Sequence, residues 1–153
     1  MQLRLIWVGR TRNEHLRVLV DDYLKRLARF VRCETTELRE AADGDRASVI
    51  EIEGKRIVEA LRPDSFVVLL DREGRQWSSE ELAAEIERWQ MNSLKEIAFV
   101  IGGHYGVSSE VKRRAAHLWS LSRLTLTHEM ARLVLVEQIY RAYTITRGLP
   151  YQK

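Results

Sequence analysis

Residues 97–127 read IAFVIGGHYGVSSEVKRRAAHLWSLSRLTLT. Ile97 to Ile101 is a continuous apolar run of the kind found in buried parallel strands. It breaks off at Gly102-Gly103, with a third glycine at Gly106. Ser108 can cap a short polar helix through Ala116. A second small apolar run, Leu118 to Leu121, leads into the hydroxyl-rich loop that ends at Thr127. Two strand ends, each opening into small or hydroxyl residues, predict a pocket built mainly from backbone groups. Glycine at such a place lets a flat ligand approach the main chain.

The rest of the chain repeats this strand-and-helix rhythm. Leu3 to Val8 is apolar on both faces and predicts a buried strand ended by Gly9, with Arg10 and Arg12 in the loop beyond it. His15 to Phe30 predicts a helix with Leu16, Leu19, Tyr23, Leu27 and Phe30 on its inner face. Arg32 to Leu38 is charged enough to be a strand near a sheet edge. Residues 39–47 form a polar loop. Ser48 to Leu61 follows as a helix, with Ile50, Ile57, Val58 and Leu61 available for burial and Gly54 against it. Ser65 to Leu70 is a third strand with Asp71 at its end. Ser78 and Glu81 have the spacing of a capping box, which opens a helix with Leu82, Ile86 and Trp89 inward. A long helix starting at Thr125 or Thr127 runs to about Thr146. Strands alternating with helices predict an α/β fold, a mostly parallel sheet with helices on both faces. In such sheets ligands bind beyond the carboxyl ends of the strands. Those ends carry Gly9, Asp71, Gly102-Gly103 and Ser120–Ser122.

The final helix, MARLVLVEQIYRAYTI, is apolar on nearly every side, which predicts cover all round. One side can meet the sheet and the other a second subunit, so a homodimer is expected. Arginines on a buried helix must be paired, and Glu137 is the partner nearest to hand for Arg132, Arg141 and Arg147.

At 153 residues the chain fits one domain spanning 1–153. Its 45% hydrophobic and 31% charged residues exclude a disordered chain. The single Cys33 has no internal disulfide partner, which favours a reducing compartment. The four histidines show no metal-ligand spacing, so no metal is expected. The N-terminal apolar run is too short to span a membrane. A cytoplasmic protein is expected. Residues 97–153 hold eight Lys/Arg against three Asp/Glu, whereas residues 1–96 hold 17 against 19. The basic excess lies with the glycine loop and the residues C-terminal to it, which suits an anionic partner such as RNA.

The glycine loop lacks the G-x-G-x-x-G spacing of a dinucleotide fingerprint, and no P-loop lysine comes after it. It is built for a neutral group close to the backbone, or it is a plain tight turn. His128, in the first turn of the last helix, can be a general base, a phosphate contact or a residue without chemistry. Lys112, Arg113 and Arg114 can contact phosphates or be a solvated face. The tail Leu149–Lys153 would ordinarily fray, yet Tyr151 and its basic neighbour suit a stacked base.

Taken together, these residues resemble the RlmH family of SPOUT methyltransferases, which methylate N3 of a pseudouridine in large-subunit ribosomal RNA. The resemblance covers essentially the whole chain. Its most specific pieces are IGGxxG at Ile101–Gly106, WSLSRLTLTH at Trp119–His128, and RLVLVEQIYRAYTI at Arg132–Ile145 with Pro150-Tyr151. His104 and Tyr105 stand where relatives often carry other residue types. The resemblance implies a trefoil knot in the C-terminal part, a homodimer, and S-adenosyl-L-methionine as cofactor. It places the cofactor at Leu70 and Asp71, at Gly102 and Gly103, and along Ser122, Arg123, Leu124, Thr125, Leu126 and Thr127. It makes His128 the expected base, with Arg132 or Arg123 stabilising charge. Arg10, Arg12, Lys112, Arg113, Arg114 and Tyr151 are expected to position 23S rRNA within the large subunit or the assembled ribosome. Two alternatives stay open: a related enzyme acting on another RNA, such as a tRNA ribose, or a non-catalytic nucleotide- or RNA-binding protein.

Overall fold

The computed structural model describes residues 1–152; Lys153, the last residue of the tail, lies outside them. Five strands, β1 (Gln2–Val8), β2 (Arg32–Leu38), β3 (Phe66–Gln76), β4 (Glu96–Ile101) and β5 (His117–Ser120), form one sheet in the order β2-β1-β4-β3-β5. Every neighbouring pair is parallel. The helices between them are α1 (Glu14–Leu27), α2 (Arg46–Ala60), α3 (Ser79–Met91), α4 (Ser109–Arg114) and α5 (His128–Thr146), with a final 3-10 turn at Pro150–Gln152.

Alternation along the strands sorts the core into two layers. Leu3, Leu5, Trp7, Ile97 and Phe99 meet α1, α3 and α5 on one face. Ile6, Val8, Val67, Leu69 and Val100 meet α2 and α4 on the other. The expected α/β architecture with helices on both faces is therefore what forms. β2 is an edge strand, as its charge predicts. Half-buried there, Cys33 has its thiol pushed up to about 12 by burial, which leaves it unreactive.

Local chemistry sets several boundaries. The Ser78 hydroxyl accepts the Glu81 amide at 3.1 Å, and the Glu81 carboxylate accepts the Ser78 amide at 2.7 Å. Ser78→Ala removes the first of these bonds and is expected to lower stability by about 1 kcal/mol, read as a shift of the urea midpoint at constant slope. Ser108 caps α4 and Thr127 caps α5 as the sequence predicts.

Three expectations change. The buried stripe of α1 is centred one residue further on, with Val20 3% exposed and Leu19 45% exposed. Phe30 lies past the end of α1 and stacks on Tyr143. β3 does not end at Leu70. Leu70 and Arg75 both pair with Trp119, so residues 71–74 stand out from the ladder and the strand resumes to Gln76. Asp71 is thus in a bulge, not at a strand end. Finally, α1 and α3 pack against α5 and supply much of the cover that its apolar sides require.

Gly54, read as a weakness in α2, is a close approach: an added Cβ would overlap the Ser108 hydroxyl at the start of α4. That contact holds α2 against the helix that comes after the glycine loop.

Candidate active site

The chain leaves β1 toward the edge at β2 and leaves β4 toward the opposite edge at β5. The β1 and β4 loops therefore diverge, and a crevice opens beyond their carboxyl ends, as expected at such a switch point. Two cavities lie along this end of the sheet.

The larger, about 640 Å³, is walled by the β3 bulge, the glycine loop, the end of β5 and the loop before α5. This is within the roughly 300–1,000 Å³ of small-molecule sites. Of the residues expected at the cofactor, Leu70, Asp71, Gly102, Gly103, Ser122, Leu124, Thr125 and Leu126 line it. Thr127 faces the smaller cavity instead, and Arg123 lines neither. Asp71 pairs with Lys112 at 3.4 Å across the rim. Arg46 and Ile50 of α2 also reach the wall. Nothing in the spacing of the glycine loop announces them.

The smaller cavity, about 250 Å³, is lined by Val8, Arg10 and Arg12 from the β1 end, Glu53 from α2, and His128 and Arg132 from α5. Gly103, His104 and His128 line both cavities and so form their shared wall. The His128 imidazole is held below its ordinary range by burial, then by the Arg132 and His104 charges; the Gly102 carbonyl and Glu53 act in the opposite sense. The balance favours the neutral imidazole.

Arg132 is 2% exposed. Its guanidinium donates to the Val8 carbonyl at 2.8 Å and to the Thr11 hydroxyl at 2.9 Å, and lies 5.2 Å from the Trp7 ring centroid. Glu37 is 3.9 Å away. Glu129 accepts the Asn13 amide at 2.9 Å, a second stitch between α5 and the β1 loop. Glu137, expected to serve Arg132, binds Arg141 at 2.6 Å. Spacing alone points to a neighbour on the same helix, whereas burial turns Arg132 toward β1.

The residues expected to meet RNA do not form one patch. Arg10 and Arg12 border the smaller cavity, with Arg12 bonded to Glu40 at 3.1 Å. Lys112 borders the larger one. Arg113 is exposed, while Arg114 donates to the Arg62 and Pro63 carbonyls at 2.7 and 3.1 Å. Tyr151 lines neither cavity. Its hydroxyl meets Tyr23 at 2.9 Å and Glu137 at 3.0 Å, and its ring lies under Arg141, so the tail is fastened to α1 and α5. No group of three or more His, Cys, Asp or Glu among the described residues is arranged to hold a metal. None of the described helices is long and apolar enough to cross a membrane.

A family model described as "Predicted SPOUT methyltransferase" matches residues 1–152. The chain belongs to this family of SPOUT methyltransferases. Similar proteins include "Ribosomal RNA large subunit methyltransferase H" of Syntrophotalea carbinolica, 47% identical, with 99% of this chain and 98% of the relative covered. A protein of the same description from Streptococcus pneumoniae is 40% identical, and the whole of both chains is covered. A SPOUT methyltransferase must bring a methyl donor and an acceptor together. The two cavities with a shared wall are a geometry that can do so.

The feature of this SPOUT methyltransferase that sequence reasoning missed is Glu53. One signal could have found it. Val49, Glu53 and Ile57 fall four residues apart on α2, which puts a carboxylate on the buried stripe.

Proposed function

We propose that this methyltransferase transfers a methyl group from S-adenosylmethionine to N3 of a pseudouridine in 23S ribosomal RNA, within the large subunit or the assembled ribosome. The observation that carries this reading is the position of His128, a neutral imidazole on the wall between the two cavities. The near full-length similarity to proteins named as large-subunit ribosomal RNA methyltransferases supports the substrate class.

The larger cavity suits the donor because it combines apolar walls, backbone groups beyond β4 and β5, and the Asp71 carboxylate. S-adenosylmethionine supplies an electrophilic methyl on a positively charged sulfonium. Leu70, Asp71, Gly102, Gly103 and Ser122 to Leu126 would hold it. The smaller cavity takes the acceptor base. There His128 accepts the imide proton of N3, and the Arg132 guanidinium favours the anion that this leaves. Arg10 and Arg12 meet the flanking phosphates. Orientation of the two reactants across the shared wall supplies a large part of the acceleration.

The decisive experiment incubates the protein with labelled S-adenosylmethionine and ribosomes lacking the modification, then maps the labelled nucleotide. Label on N3 of one pseudouridine of 23S rRNA is expected; label elsewhere, or none, overturns the assignment.

A pH profile tests the base. Because the His128 pKa is lowered, its neutral form persists below the ordinary imidazole value of about 6.5. The acid limb of kcat/KM is expected below that value, with activity lost as pH falls through it. A limb above 6.5 would assign the base elsewhere.

The same reading includes a homodimer, a cytoplasmic location and a knotted C-terminal part. Sedimentation at micromolar concentration is expected to give a dimer, and a stable monomer would remove it.

A further inference from the structure

Glu53 is 2% exposed, on α2. Its Oε1 accepts the Ala41 amide at 3.1 Å. Its Oε2 has no hydrogen-bond partner among the described residues. That oxygen rests against Gly103, where an added Cβ would overlap it, and the side chain lines the smaller cavity. An unpaired buried carboxylate oxygen is costly, so a donor at that point changes the balance sharply. The Ala41 bond decides which oxygen is left over. A carboxylate only accepts, so the matching group must carry an N–H or O–H.

We propose that Glu53 Oε2 accepts the N1–H of the pseudouridine and thereby selects it over uridine. This rests on the function proposed above, in which that base occupies the smaller cavity. Pseudouridine carries two N–H groups, the imide N3–H and N1–H, on either side of the C2 carbonyl. The N3 proton is given up to His128. N1–H remains as a donor on the neighbouring edge. Uridine has C–H at the corresponding place and would leave Glu53 unpaired. Glu53 and His128 line the same cavity, and a base between them reaches Oε2, which Gly103 covers, once that glycine gives way. Sites built to hydrogen-bond one group discriminate strongly against analogues lacking it.

The test uses large subunits, alone and joined into ribosomes, reconstituted with 23S RNA carrying pseudouridine, uridine or N1-methylpseudouridine at the mapped position. The native protein is expected to lose on the order of 100-fold in kcat/KM on both analogues. In Glu53→Gln the Ala41 amide retains the side-chain carbonyl, so the NH2 meets N1–H donor to donor. Its rate on pseudouridine is expected to fall about 100-fold, with uridine within about threefold of the native rate and S-adenosylmethionine affinity within about twofold. The proposal is overturned if the native protein accepts the analogues as well as pseudouridine. It is also overturned if Glu53→Gln slows pseudouridine and uridine equally, or loses cofactor affinity in step with rate. Either result would make Glu53 only a support for Gly103. Should the native protein methylate none of the three, the proposed function itself fails first.

Discussion

His128→Ala is expected to lower single-turnover methyl transfer by about 10²–10⁴-fold, the usual contribution of a positioned general base. S-adenosylmethionine affinity, measured by calorimetry, should change little. Most of the donor cavity comes from the glycine loop and residues 120–126, and His128 is one contact on its far wall. Stability should also hold, because α5 is capped by Thr127 and its buried contacts begin at Arg132. The combination separates a proton acceptor from a cofactor contact. Unchanged turnover would remove the role, and His104, on the same shared wall, would become the group to test.

Arg132→Met is expected to cost about 2–4 kcal/mol in denaturant unfolding and to lower methyl transfer as well. Methionine fills much of the volume over Trp7 but leaves the Val8 carbonyl and Thr11 hydroxyl without their donor in a buried place. Arg132→Lys should recover less than half of the loss, since one ammonium cannot reproduce a planar fork bonded to two acceptors. The effect on chemistry and the effect on folding can be told apart at low temperature with saturating substrates, where the folded fraction is near one. A Met variant of native stability would mean that the Arg132 hydrogen bonds are not needed to hold α5 to β1.

Much of the layered fold could be read from local patterns. All six residues of Glu96–Ile101 are buried, and the continuous apolar run Ile97–Ile101 announces five of them. The capping box of α3 is legible because both partners lie within four residues. The β3 bulge was not read, because Asp71-Arg72-Glu73-Gly74 has the residues of a turn that would end a strand, and only pairing with β5 shows that the strand resumes beyond it. Gly54 looked like a flaw because its neighbour, Ser108, is distant in sequence. Within the candidate site, the backbone loops were visible from their glycines and hydroxyls, whereas Glu53 and the partners of Arg132 were not. Those partners are 121 and 124 residues away, beyond any periodicity.

That separation has a consequence for how the protein matures. The smaller cavity needs the end of β1, the middle of α2 and the start of α5 at the same time. A growing polypeptide cannot assemble it until α5 has emerged and docked. Contacts this remote in sequence also close slowly. The smaller cavity is therefore completed only when α5 docks, and a chain that stops before His128 would carry all five strands yet lack that cavity.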